Sequence, residues 1–583
     1  MVWGKDKHGF PILISGKDVN KTEADRNHER IVRRLSLALV ERTNGTEMHA
    51  GAAPFSLRQG GGNRVFGVGG SRERASRKMV DVTDLSEILS VDAVKMVVRA
   101  ESMVTMEQLV AATLPLGMLP KVLPPYKGVT VGGAAMEGAL GASSHKHGLF
   151  LDACRSVTLL LGDGRVEECF RDATHASHPS PESPRGSTGG RGPPTLFSAL
   201  SGSFGSLAVL VLAEIECVPA LRLIRVRFSL LGDAERAVAA MAAAARRCDF
   251  LEGLVLPSSN ATLLMSADFV AENETTVRGV ARTGQYWGEW FADHALRLAA
   301  RLERRQARLE NRTEESVREN QTVIEEVFET GDYLFRYDFG AFWLGRPQAF
   351  FSPHTRMNLA SLAMMVLSSS FLPVRLLLGW IFSSNNLFGM LKRASSQATA
   401  ASTLVADSLL PYQKAAAFIN LVRASVPIST PLWLCPVAGS AKPQLLAPHG
   451  HHRGLMMNVG VYGRVFDNEG YKHLRLLEYA TSEAGGRKQL HALNLYTPDE
   501  FWGRALGPWH VTQPAESVYW KLRKAAGAEG VFRPLFDKIS TQEPASGKDA
   551  SAPPVMIRAP LPGATLEPLA GEPRVFHTIP LSP

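Results

Sequence analysis

Residues 130–150 read TVGGAAMEGALGASSHKHGLF, with glycine at 132, 133, 138, 141 and 148 and hydroxyls at Thr130, Ser143 and Ser144. Glycine lets a backbone approach a bulky or anionic group because no Cβ intervenes, and hydroxyls donate at short range to phosphate oxygens. The stretch is therefore a candidate cofactor cradle. Two more glycine turns accompany it. Gly60, Gly61, Gly62 and Asn63 follow the run PFSLRQ, and LSGSFGS places Gly202, Ser203 and Gly205 after a helical segment. Neither a GxGxxG strand-to-helix fingerprint nor GxxxxGK[ST] occurs at these turns, so a Rossmann or P-loop nucleotide site is not indicated.

The flanking chain reads as α+β. HERIVRRLSLALV, from His28 to Val40, sets Ile31, Leu35 and Leu39 on one face and predicts an amphipathic helix. Thr105 caps a second helix running to Leu114. Gly162-Asp163-Gly164 turns a hairpin inside RSVTLLLGDGRVEECF, and LAVLVLAEIECVPA is a buried strand ending at Pro219. Residues 171–194, RDATHASHPSPESPRGSTGGRGPP, bury too little apolar surface to order themselves and read as a disordered loop insertion. These signals divide the chain into an extension, 1–27, and a first domain, 28–220. A second domain, 221–540, opens with the strand LIRVRFSL and a helix from Ala234 to Arg247, and also holds an Arg-rich amphipathic helix within LRLAARLERRQARLENRTEESVREN. The Pro-rich residues 541–583 read as a disordered tail.

A chain of 583 residues exceeds what a single core supports. Its net charge of +8 is spread along the sequence, with no basic block interleaved with aromatics, so a nucleic-acid partner is not expected. Cys154, Cys169, Cys217, Cys248 and Cys435 are far apart and form no CxxC pair, which argues against a disulfide framework or a metal site and favours a reducing, intracellular compartment. The first twenty residues hold no apolar core for an anchor or signal. The apolar run at 359–382 is interrupted by Pro373 and Arg375 and reads as a buried or surface-seated helix pair rather than a membrane span.

The words VDVTDLSEILSVD (80–92), LPPYKGVTVGGAAMEGALGASSHKHGLF (123–150) and LFSALSGSFGSLAVLVLAEIECVPA (196–220) resemble the PCMH-type FAD-binding domain of vanillyl-alcohol-oxidase-like oxidoreductases, specifically the Diminuto or delta(24)-sterol reductase branch. DYLFRYDFGAFW, PLWLCPV and NLYTPDEFW carry the resemblance through the second domain. It implies two α+β subdomains around a flavin, followed by an α+β substrate or cap domain with an antiparallel sheet. It assigns Gly60, Gly61, Gly62 and Asn63 to the FAD diphosphate. Thr130, Val131, Gly132, Gly133, Gly138, Ser143 and Ser144 fall to the flavin and its diphosphate, and Gly202, Ser203 and Gly205 to the closing of the pocket. No histidine stands at 60–64, so the FAD is expected to be non-covalent.

The implied reaction is reduction of the delta(24) double bond of a sterol side chain, with NADPH as ultimate donor, a sterol-like hydrophobic partner and peripheral contact with the endoplasmic reticulum membrane; a cytoplasmic location is the alternative. Two other readings stay open: a flavin oxidase or dehydrogenase of an alcohol or hydroxy acid, and a non-catalytic sterol-binding or scaffold protein. The chain departs from the branch at Glu137, at Gly141 and Ala142, and at His147. These departures bear on substrate more than on cofactor.

An isolated alkene has no carbonyl to take up charge after hydride arrival, so its reduction requires a proton donor near the flavin. His145 and Lys146 follow the cradle directly, and Asp338 lies among aromatics in RYDFGAFW; Tyr337 and Tyr496 offer hydroxyls. The alternatives are loop or phosphate anchoring for His145 and Lys146, and a structural hydrogen-bond anchor for Asp338. Phe342, Trp343, Trp433, Phe501 and Trp502 are either pocket wall or core, and nothing marks Cys435 as reactive.

Overall fold

The structure, a computed structural model, describes residues 22–44, 79–172, 195–257, 259–274, 290–310, 323–344, 383–387, 403–440, 442–467, 469–510 and 513–540, with short strands at 2–5, 11–14 and 56–58. The glycine loop at 60–63, the insertion beyond 172, the apolar run at 359–382 and the tail from 541 lie outside the described residues. Ser56–Arg58 pairs in parallel with Met79–Asp81, which brings together the two ends of the segment carrying that glycine loop.

The first sheet contains β1 (Ile88–Asp92), β2 (Val97–Glu101), β3 (Met118–Pro120), β4 (Cys154–Leu160), β5 (Val166–Phe170) and β6 (Val209–Pro219), in the order β1-β2-β6-β4-β5 with β3 also paired to β6. β6 is its axis, and Val209 to Ala213 are buried without interruption, as a strand covered on both faces requires. β4 and β5 form the hairpin expected at Gly162-Asp163-Gly164. Helix α1 (Glu23–Asn44) buries Ile31, Leu35 and Leu39 in this core. Helix α2 (Met106–Thr113) begins at Thr105, whose side chain accepts from Gln108 N while the Gln108 side chain accepts from Thr105 N at 2.8 Å. That reciprocal pair satisfies two of the orphan amides of the first turn. Helix α3 (Val131–Glu137) follows.

The chain leaves β6 at Pro219 and enters a second sheet at Leu223. Its strands are β7 (Leu223–Leu231), β8 (Phe250–Val255), β9 (Thr262–Val270), β10 (Val323–Glu329), β11 (Thr403–Pro411), β12 (Leu432–Val437), β13 (Met456–Arg464) and β14 (Arg487–Lys488). They are antiparallel throughout, in the order β10-β7-β9-β8-β12-β13-β11-β14. Helices at Ala234–Ala244, Ala415–Ser425 and Gly470–Glu483 cover one face, packing on Leu251, Leu264, Leu404, Leu432, Leu434 and Val459.

The opposite face, with Leu254, Leu409, Trp433, Val437 and Met456, merges with the core of the first sheet. Side chains alternate along a strand, so Glu252 shares its face with Leu254, Asp407 with Leu409, and Asn458 and Tyr462 with Met456. These four polar side chains therefore point toward the first sheet, away from the covering helices. The described parts are α+β, as expected. The Arg-rich segment is a helix at Phe291–Glu310 that buries Phe291, Ala295, Leu298 and Leu302.

Candidate functional site

The segment after α3 is wedged into the centre of the second sheet. β8 pairs with β12 over Gly253 to Val255. Beyond that seam the two strands turn to other acceptors: Leu251 N donates to Ala142 O and Ala438 N to Ser144 O, both at 2.8 Å. Cys435 Sγ donates to Gly141 O at 3.2 Å. A Cβ on Gly141 would lie 2.0 Å from Leu123 O, so the position accepts glycine alone without a shift of backbone. This gives a physical reason for one of the departures noted in the sequence.

The predicted residues of this turn are committed to holding it. Ser143 Oγ donates to Lys121 O at 2.8 Å, and Ser144 Oγ accepts from Gly141 N at 3.0 Å. His145 is buried, with Nδ1 2.9 Å from Ala142 O and Nε2 3.0 Å from Cys248 O. Burial holds its pKa below the ordinary value against those two carbonyls. Both ring nitrogens thus face protein carbonyls, and the ring bolts the turn to the sheet. Lys146 Nζ pairs with Asp249 Oδ1 at 2.9 Å on a half-exposed rim.

Over this turn lies a cavity of about 570 Å³. One wall is Gly141, Ala142, Ser143, Lys146 and His147; Leu119, Pro120, Leu123 and Pro125 form another, and Val218 to Leu221 a third. Phe250, Phe269, Leu334 and Trp433 complete an apolar interior. Its size and lining are those of a small-molecule site. Glu252 and Arg336 also line it, as a buried ion pair with Arg336 Nη2 2.7 Å from Glu252 Oε1. Tyr337 Oη donates to Glu252 Oε1 at 3.1 Å and Trp433 Nε1 to Oε2 at 3.1 Å. The guanidinium also stacks over the Tyr333 ring at 4.0 Å. Burial lowers the His147 imidazole to about 4, helped by Lys121, so this wall residue is neutral at physiological pH.

The glycines of the cradle gather elsewhere. Thr130, Gly132, Gly133, Glu137, Phe204 and Gly205 line a small cleft with Ser102. The first amides of α3 already have protein acceptors: Val131 N donates to Val104 O, Gly132 N to Ser102 O, and Gly133 N to Thr130 Oγ. What this helix offers a cofactor is close, Cβ-free surface and not amide donors. Gly138 ends the helix at φ +81°, where a Cβ would crowd Ser201 Oγ and Pro448. Gly202, at φ +82°, donates its amide to Met136 O, and a Cβ there would meet Leu446 O at 2.2 Å. The hydroxyls of Ser102 and Ser203 are buried without a hydrogen-bond partner. Orphaned hydroxyls beside glycine surfaces fit a flavin nucleotide, which supplies acceptors for such donors and demands close approach.

Known proteins resemble this arrangement in part and as a whole. A family model described as an FAD binding domain matches residues 49–169, which include the loop at 60–63, α2, α3 and the wedged turn. Delta(24)-sterol reductase of Homo sapiens is 27% identical over 464 residues, covering 78% of this chain and 76% of the relative. The chain thus carries an FAD binding domain and is similar to a delta(24)-sterol reductase over most of its length. The Arabidopsis thaliana delta(24)-sterol reductase is 22% identical over 502 residues, 80% of this chain and 77% of the relative. Decaprenylphosphoryl-beta-D-ribose oxidase of Mycolicibacterium smegmatis is 29% identical over 189 residues, 32% of this chain and 37% of that protein.

Within this sterol-reductase-like chain, Asp338 serves as an anchor: its Oδ1 accepts from Lys127 N at 3.0 Å and from Ser384 Oγ at 2.7 Å, and burial pushes its carboxyl above the ordinary range. Tyr337 is held by Glu252, and Tyr496 is buried beside Lys488. Phe342 bridges Trp433, Tyr126 and Tyr462, with ring centroids 5.1, 5.9 and 5.3 Å away. It thereby connects the large cavity to a second polar group on the sheet. There Asp407, 4% exposed, accepts from Asn458 Nδ2 at 2.8 Å and from Tyr462 Oη at 2.5 Å, and its Oδ2 lies 3.3 Å from His491 Nε2. Neither Glu252 nor Asp407 was singled out from sequence. The available signal was a lone carboxylate inside an apolar strand, FLEGLV and TLVADSLLP. No group of metal-ligating side chains occurs among the described residues.

Proposed function

We propose that the protein is an FAD-dependent reductase of the delta(24) double bond of a sterol side chain, with the substrate seated in the 570 Å³ cavity. The observation that carries the reading is the position of that cavity: apolar side chains enclose it, and the turn that belongs to the matched FAD-binding region forms one wall. The delta(24)-sterol reductases named above, similar over most of their length, support the same reaction.

The reduced flavin supplies hydride at N5 when bound. The chain's own part is to hold and orient. Leu119, Leu123, Phe250, Phe269 and Trp433 take the hydrocarbon body by burial, which contributes about 25 cal/mol per Å² of apolar surface removed from water. The row Trp433, Phe342, Tyr462 leads from this cavity along the inner face of the sheet. The reading extends to domain limits of 28–220 and 221–540, to flavin contacts by Gly60 to Asn63, Thr130 to Gly133, Gly138, Gly202, Ser203 and Gly205, and to Ser143 and Ser144 as supports of the turn. It includes NADPH as donor and peripheral association with the endoplasmic reticulum membrane. No helix among the described residues is long and apolar enough to cross a membrane.

The test is anaerobic. Protein loaded with FAD is reduced by NADPH or dithionite and mixed with a delta(24) sterol. Return of the oxidised flavin spectrum only when sterol is present is the expected result. A reduced spectrum unchanged by sterol refutes the proposal, and substrate-dependent hydrogen peroxide release from an alcohol in air places the chain with the oxidases.

A further inference from the structure

We propose that His491, held by Asp407, is the proton donor to the substrate double bond; the assignment rests on the reductase reading above. His491 stands on the short stretch following β14, where residues 486–490 and Ala492 are buried while its own side chain keeps 23% exposure. It is therefore the partly exposed side chain between Gly486 and Ala492. Its Nε2 faces Asp407 Oδ2 at 3.3 Å, and among the described residues no partner engages Nδ1. The orientation matches an imidazolium whose rear nitrogen is fixed by a carboxylate and whose front N–H is available.

The surroundings complete the case. Asp407 is fixed from β13 by Asn458 and Tyr462, so it cannot swing away from the ring. From α3, the carboxylate of Glu137 acts on His491, and Glu137 lines the same cleft as Thr130, Gly132, Gly133 and Gly205. Lys488 on β14 opposes the two acids. The phenol of Tyr126, from the loop before α3, also senses Asp407. Burial pulls the imidazole pKa down, and the hydrogen bond and charge of Asp407, joined by Glu137, outweigh it, leaving the pKa above 6.5. The raised pKa favours the protonated ring, which the charge of Glu137 couples to the flavin cleft and which Asp407, bonded to Tyr462, sets at the end of the Trp433, Phe342, Tyr462 row. By contrast, both nitrogens of His145 are occupied and burial depresses its pKa.

In the step, the alkene π bond breaks as one carbon takes the proton from His491 Nδ1 and the other takes the hydride supplied by the reduced flavin. The imidazolium becomes neutral imidazole, the flavin is oxidised, and the product carries two new C–H bonds. Solvent returns the proton to the ring before the next turnover.

The experiment compares parent, H491Q, H491G and D407N, each checked for bound FAD by visible absorbance and for sterol affinity. H491Q is expected to bind both normally and to lose about 100-fold or more in turnover. Added imidazole is expected to restore part of the activity of H491G, which a packing role does not allow. Histidine NMR of the parent should show a resonance, absent from H491Q, that titrates above 6.5 and moves down in D407N; the parent's turnover should fall as pH rises through that same value. H491Q turnover within about threefold of an active parent, or a His491 resonance titrating below the ordinary value, overturns the assignment. A parent that binds FAD and leaves the sterol unchanged overturns the function itself, and this assignment with it.

Discussion

Replacing Glu252 by glutamine keeps the shape of its site and removes its charge. The carboxylate is fully buried, and its partner Arg336 is 3% exposed. In E252Q the guanidinium loses the negative charge that neutralises it; the amide oxygen can still accept the bonds from Arg336 and Tyr337 that now meet Oε1, at 2.9, 2.7 and 3.1 Å, but the new NH2 is then turned onto Trp433 Nε1, which is itself a donor. Leaving one member of a buried pair uncompensated costs about 3–5 kcal/mol, a large share of the roughly 5–15 kcal/mol that holds a protein folded. The flavin-loaded protein should therefore unfold at distinctly lower urea, read as a shift of midpoint with the slope unchanged. Removing both charges in E252Q/R336M should recover most of the loss, because an apolar replacement of a buried pair is often close to neutral. An E252Q midpoint within about 0.5 kcal/mol of the parent, the range of an indifferent surface change, would refute the reasoning.

Three other outcomes follow from the geometry. Gly141→Ala forces a methyl against Leu123 O at 2.0 Å, so the wedged turn must move; the variant should purify with far less flavin per chain and bind sterol poorly, and an unchanged flavin ratio would count against the described turn. Glu216 meets Lys121 at 2.6 Å and Arg171 at 3.0 Å, and although burial opposes ionisation these partners hold its carboxyl at about 2, below the ordinary 4.5. A depressed carboxyl stabilises the fold above its unfolded value and loses that contribution as pH falls from 4.5 toward 2, so E216Q should flatten the acid limb of a stability profile. All five cysteines are free and buried, burial pushing Cys248 to about 11, Cys169 and Cys217 to about 12, and Cys154 and Cys435 upward as well. Native protein should give no fast thiol reaction, and rapid labelling of any of them before urea is added would contradict the burial.

Local signals were the readable part of this chain. Thr105 opened a helix because its hydroxyl and Gln108 complete each other's amides, a pattern contained in four residues. Ile31, Leu35 and Leu39 fell on the buried side of α1 because the helical period alone decides it. Within the cradle, the glycines were legible as places of close approach, but their cause differs from one to the next. Gly141 is required by Leu123 and Gly202 by Leu446, contacts that distant strands and loops impose. His145 and Lys146 sat beside the cradle in sequence, yet their partners, Cys248 O and Asp249, come from the second sheet and fix them as joints. Glu252 with Arg336, and Asp407 with His491, could not be paired from sequence, since a strand register and a loop far along the chain bring each pair together.

Reduction of an isolated double bond by this flavoprotein is reported most directly by the sterol itself. Incubation of FAD-loaded protein with NADPH and a delta(24) sterol, followed by mass spectrometry, should show the side chain gaining two hydrogens, one of them exchanged for deuterium when the reaction runs in D2O. Recovery of unchanged sterol from protein that retains its flavin and binds the sterol would contradict the account.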